Sequence, residues 1–302
     1  MRLRHGLQQR RHQHRARARA QADAHGAGAA GALFGVGATV NGGCSLSTLH
    51  RLADGELGML TTLAGFAAGV WASLGVLSEG IVMRLAPAVS PWLRWADLAP
   101  WVGGLLFGWA IWQFRGLWQL ARQSPDANLL RRALTPNYHL AVAAALMGIA
   151  AGLLYATQGA WSYSNFLRSE VLHRTAHATA PSAWHGMLVI GLLSGMAISA
   201  WERGSLAWRW PQRPAVWARH AAGGALMGLG AVLVPGGNDT LLLSGLPSLA
   251  PAALAAYLAM LLGIASMLGL MRLAHIPMPV VACSPEGCDD RAASAPASGV
   301  SS

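Results

Sequence analysis

The chain has no lysine and only three cysteines, Cys44, Cys283 and Cys288. Three cysteines cannot build a disulfide framework. Charge of either sign is scarce: 11% of the 302 residues are charged and 54% are hydrophobic, against about a quarter charged in a soluble domain. That shortfall excludes an ordinary water-soluble fold. A nucleotide-binding loop and a Ser/His/Asp arrangement are also missing. ATP-driven and hydrolytic chemistry therefore have no residues to carry them, and the expectation is a protein that is not an enzyme and needs no cofactor or metal.

What is present is arginine, glycine and long apolar runs. The net charge is +10 and all 22 cations are arginine. Arg2, Arg4, Arg10, Arg11, Arg15, Arg17 and Arg19 precede the first apolar stretch. Residues 1–25 thus read as a basic arm that anionic lipid would attract. The arm has no Ser or Thr, against a transit peptide, and no apolar segment follows Arg10-Arg11, against an export signal. The other arginines lie between apolar runs, which argues against nucleic acid as a partner and for membrane lipid.

Runs of about 20 apolar residues cross the ~30 Å hydrocarbon core, where the backbone must satisfy itself as helix. Five segments qualify: 57–77, 98–119, 138–158, 184–201 and 251–271. Trp184 and Trp201 bracket the fourth, as interfacial aromatics do. Arg-rich connections at 115–136 and 202–219 alternate with nearly balanced ones at 78–97 and 159–183. This places the N-terminus, 115–136 and 202–219 on the cytoplasmic side of a bacterial inner membrane. The polar segment 276–302 is expected to be a disordered tail.

One pattern occurs twice. Residues 31–44 read GALFGVGATVNGGC and residues 224–238 read GALMGLGAVLVPGGN. Seven glycine and alanine positions match in order, with one extra residue before the second Gly-Gly pair. Close helix packing would explain Gly31/Gly35 and Gly224/Gly228. It does not explain a Gly-Gly pair followed by Cys44-Ser45 in one copy and by Asn238-Asp239-Thr240 in the other. Glycine permits dihedrals other residues avoid, and Ser, Asn and Asp start helices well. Each copy is therefore expected to be a broken, re-entrant helix, with a first arm of eleven residues (31–41, 224–234) too short to cross. The expected fold is all-α: a polytopic membrane domain over 26–275, with repeat motifs at 31–77 and 224–271. Paired broken helices point to a transporter's substrate path. Four spans between the copies would make them parallel, and one misread half-helix at 79–95 or 160–178 would reverse that.

The motifs GALFGVGATVNGGCSLSTLHRLADGELG and GGALMGLGAVLVPGGNDTLLLSGLP resemble those of the YeeE/YedE family of sulfur-transport membrane proteins, over roughly residues 27–275. The resemblance implies uptake of thiosulfate or a related small sulfur-containing solute. In some members it implies a link to selenium metabolism. It also implies a small cytoplasmic sulfurtransferase as partner, and a path lined by Gly42, Gly43 and Cys44 and by Gly236, Gly237 and Asn238; Ser45 and Asp239, next in each copy, complete the expected path. The sequence departs from the family in two places: Asn238-Asp239 stands where a Gly-Gly-Cys is expected, and the Arg-rich arm stands where a first helix is expected.

Of these residues, Cys44 offers a thiol whose reactivity rises at a helix start. Asn238 offers donors and an acceptor without charge. Asp239 would repel an anion and is costly at membrane depth, so it reads as an N-cap or a partner of an arginine such as Arg219. Cys283 and Cys288 are an incomplete zinc set, and they carry a rival reading in which the chain hands sulfur to a cytoplasmic carrier. His173 and His177 read as solvated loop, and His185 as an interface residue.

Overall fold

The computed structural model describes residues 26–76, 140–158, 161–176, 179–211, 213–233, 237–247, 251–276, 279–284 and 287–292, with scattered helical residues from 100 to 115. The basic arm 1–25, most of the span expected at 98–119, and Gly236 lie outside the described residues. Helix α1 runs over 26–41, α2 over Ser45–Ala53 and α3 over Met59–Val76. Then come α4 (Leu140–Gln158), α5 (Tyr163–Ala176), α6 (Ala183–Glu202) and α7 (Pro214–Leu233). A short α8 (Gly237–Thr240) runs into a π-helical turn, Leu241–Gly245, before α9 (Pro251–Leu273).

Helices α6 and α9 are long and apolar enough to cross a membrane. Their outer faces carry Met187, Ile190 and Ile198, and Leu254, Leu258 and Leu262, all exposed. Water would penalise so much open apolar surface, whereas hydrocarbon does not. In lipid, however, apolar burial no longer drives helices together, so close backbone contact must hold them.

Glycine supplies that contact with an evident symmetry. A Cβ on Gly31 or Gly35 of α1 would strike the backbone of Ala256 or Met260 of α9. The repeat equivalents Gly224 and Gly228 of α7 meet Thr62 and Phe66 of α3 in the same way. The correspondence is reciprocal: Gly69 meets Ala225 while Gly263 meets Ala32. Each copy's first helix therefore packs on the other copy's last. At the centre α1 crosses α7, with Gly37 against Gly223 and Met227, and Gly230 against Ala30 and Phe34. As α1 advances from 30 to 37, its neighbours on α7 retreat from 230 to 223, so the two helices are antiparallel. Phe34, Phe66, Met227 and Met260 fill the space between the four helices, and Leu167 and Val171 of α5 lean on them.

Several expectations are corrected here. The arms are longer than eleven residues: α1 has about 24 Å of rise and α7 about 30 Å, because Pro214 supplies a good first helical residue. Arg219 and His220 consequently lie inside α7 rather than in a loop. The connection 159–183 contains α5, so His173 sits on a helix. One of the two half-helices that would reverse the sense of the copies is thus present, and α1 and α7 are antiparallel. The arginines of 202–209 are not all solvated. Arg203 binds Asp54 at 3.1 Å, and the segment around Arg209 pairs with the turn 54–57 (Arg209 N–H to Gly55 O, 2.9 Å). Arg51 and Glu56 close the same corner as a buried bidentate pair. Finally, the tail is not wholly irregular. β1 (Pro279–Ser284) and β2 (Gly287–Ala292) pair antiparallel with Cys283 opposite Cys288. The β-branched Val280 and Val281 favour this.

Candidate functional site

Helix α1 stops because Gly42 takes φ +82°, where a side chain would be strained. Its N–H and that of Gly43 still reach back to Thr39 O and Ala38 O, 3.1 and 2.8 Å. Cys44 is extended (φ −74°, ψ 178°) and is the N-cap of α2. Ser45, expected near the cap position, is the first helical residue instead. The Cys44 carbonyl accepts from Thr48 N–H at 3.1 Å and from the hydroxyls of Ser47 and Thr48 at 2.8 and 3.1 Å. The Cys44 carbonyl is thus committed, and the half-buried thiol is not in a disulfide.

Asn41 locks this break. Its Nδ2 donates to Gly43 O and to Thr48 Oγ1, both at 3.0 Å. Its Oδ1 accepts from Thr62 Oγ1 of α3 at 2.8 Å and lies 2.9 Å from His220 Nδ1 of α7. Asn41 and His220 are both fully buried. One side chain therefore ties the break to three helices, and sequence reasoning passed over it. The signal was an amide directly before a Gly-Gly pair.

In the second copy the chain bends by 40° between α7 and the helix that starts at Gly237. Gly237 has φ +73°, and the Phe34 ring fills the place of its Cβ. Asp239 is not a cap of its own helix. Its carboxylate accepts from the Ser164 hydroxyl and, at 3.2 Å, from the Ser164 N–H in the first turn of α5. It caps α5 from across the fold, and the negative charge is held by the positive end of that helix. The reading of Asp239 as a costly, repelling charge is thereby tempered. Asn238 is half-buried, with an Oδ1 that is sealed from solvent and has no hydrogen-bond partner.

Helix α5 brings the two breaks together. Tyr163 Oη donates to Ser45 O at 2.7 Å. Ser164 binds Asp239, and Ser162 meets Thr240 Oγ1. Cys44-Ser45 and Asn238-Asp239 therefore converge on the start of α5, although they come from opposite ends of the chain. The described centre also holds Ser45 Oγ, 1% exposed and without a partner. One turn along α5 from Ser164 stands Arg168, half-buried, with an Nε that is sealed and unpartnered. A cation there, beside helix starts, makes the region receptive to an anion. Substituting Asp239→Asn should remove the charge-assisted cap and cost about 1–2 kcal/mol. The expected readout is a lower melting temperature in detergent, with Asp239→Ala lower still.

These features define an α-helical membrane protein with a polar centre assembled where its helices break. The chain belongs to the sulphur transport family, whose model matches residues 16–266. It is 24% identical over 263 residues to the thiosulfate transporter TsuA of Spirochaeta thermophila, covering 73% of this chain and 69% of that one.

Proposed function

We propose that the protein is a multi-pass inner-membrane transporter of a small sulfur oxyanion, with thiosulfate the first candidate. Family membership and the likeness to a thiosulfate transporter support this reading. The observation that carries it is the free thiol of Cys44, set at the N-terminus of α2 by a break that Asn41 holds. In this reading each copy enters, breaks at mid-depth and turns back, and the antiparallel α1 and α7 place the copies in inverted orientation. Gly42, Gly43, Cys44 and Ser45 line one side of the constriction, and Gly236, Gly237, Asn238 and Asp239 the other. The thiol gives a weak, polarisable hydrogen bond to soft sulfur. The Asn238 amide, turned over so that Nδ2 donates, takes the second contact, and Arg168 balances the anion's charge. The chain acts as a carrier, not an enzyme. Uptake of labelled thiosulfate into proteoliposomes should fall at least about tenfold in Cys44→Ala, one hydrogen bond's worth. Equal uptake in both would remove Cys44 from the path.

The register of Cys283 opposite Cys288 favours a second reading, in which the tail relays sulfur to a cytoplasmic sulfurtransferase. Deleting residues 280–302 separates the two. Transport survives in the first, and transfer to the carrier fails in the second.

A further inference from the structure

A cavity of about 260 Å³ lies between the start of α5, the segment 179–182 and the start of α6. We infer that this cavity is the capture site from which the oxyanion enters the path. The inference rests on the transport reading and deepens it. Trp161, Ser162, Asn165, Ser169, Thr179, Ser182 and His185 supply the polar part of the wall, and among the described residues no carboxylate contributes to it. Such a donor-rich wall suits an oxyanion, which only accepts hydrogen bonds. The caps point the same way. Ser162 Oγ accepts from Asn165 N–H at 3.2 Å and Ser182 Oγ from Trp184 N–H at 3.3 Å, so two helices begin at the cavity edge.

Two groups on wall residues have no hydrogen-bond partner among the described residues. Trp161 Nε1, which can only donate, and Asn165 Oδ1 are both sealed from bulk solvent without a hydrogen bond. Turned over, the Asn165 amide presents two N–H donors in the same place. Both residues line the cavity. The cavity also joins the site already described, because Ser162 in its wall meets Thr240, immediately after Asn238-Asp239. An anion leaving the cavity would next meet the second break.

The test uses Ser169→Cys in a chain whose Cys44, Cys283 and Cys288 are serine, reconstituted in vesicles. A membrane-impermeant thiol reagent should label Cys at this position from one side only. Saturating thiosulfate should slow labelling at least about tenfold, as near-complete occupancy requires, and an equal concentration of chloride should not. In the otherwise natural chain, Asn165→Leu should raise KM for thiosulfate about tenfold with Vmax retained, as loss of an initial binding contact does. Unprotected labelling with wild-type uptake intact would overturn the capture site and leave transport standing. Protection in a protein that moves no thiosulfate would keep the site and overturn transport. Equal protection by chloride, or a loss of Vmax alone in Asn165→Leu, would also overturn the capture assignment.

Discussion

Asn41→Ala is expected to cut thiosulfate uptake about a hundredfold and to destabilise the protein by about 3 kcal/mol. The reason is the number of partners lost at once. Thr48, Thr62, His220 and the Gly43 carbonyl all lose a hydrogen bond inside the fold. Each such loss leaves a group desolvated, at about 1 kcal/mol or more where nothing replaces the partner. The Gly43 carbonyl immediately precedes Cys44, so loosening it also moves the thiol. The thiol's position should therefore suffer more than the fold as a whole. Uptake and melting temperature measured on the same preparation separate the two effects. Unchanged uptake in a destabilised protein would confine Asn41 to a structural role. A milder result for Asn41→Asp, which keeps the Oδ1 acceptor facing Thr62, would support the geometry.

Gly228→Leu should be the most damaging substitution in the membrane domain, at about 4 kcal/mol or more. A Cβ at Gly228 meets the backbone of Phe66, not the far end of a flexible side chain. Helix α3 cannot yield locally, because Gly65 and Gly69 hold it against Ala221 and Ala225 over the same stretch. In lipid no hydrophobic gain compensates for the lost approach. The expected result is loss of the monodisperse peak in size-exclusion chromatography. The same change at Gly148 or Gly152 of α4, whose Cβ positions are open, should leave that peak intact. A normal peak for Gly228→Leu would refute the helix contact.

Much of this was legible in the sequence because the repeat is written in glycine, whose positions answer directly to backbone contact and to positive φ. The spans at 57–77, 138–158, 184–201 and 251–271 coincide with α3, α4, α6 and α9 within a few residues. Gly42 marked a real break. Helix α5 was not legible, because Tyr163–Ala176 contains Arg168, Glu170 and Arg174 and reads as loop. Its burial comes from tertiary packing, not from its own periodicity. Missing α5 meant missing Tyr163 and Ser164, and so the true partner of Asp239. The sense of the copies stayed open for the same reason, because a half-helix at 160–178 or 79–95 decides it. His220 was hidden because its partner, Asn41, lies at the other end of the chain.

The interlock of the two copies has a consequence for how the protein is made. Helix α1 is synthesised well before α9, yet Gly31 and Gly35 find their partners at Ala256 and Met260 of α9. At ~5–20 residues per second, roughly 200 intervening residues take ~10–40 s to emerge. Throughout that interval the first half waits in the bilayer with a bare glycine face and an unsupported thiol break. The newborn chain is most exposed to quality-control proteases then, and a ribosome stalled before codon 251 would leave a half that has no mate.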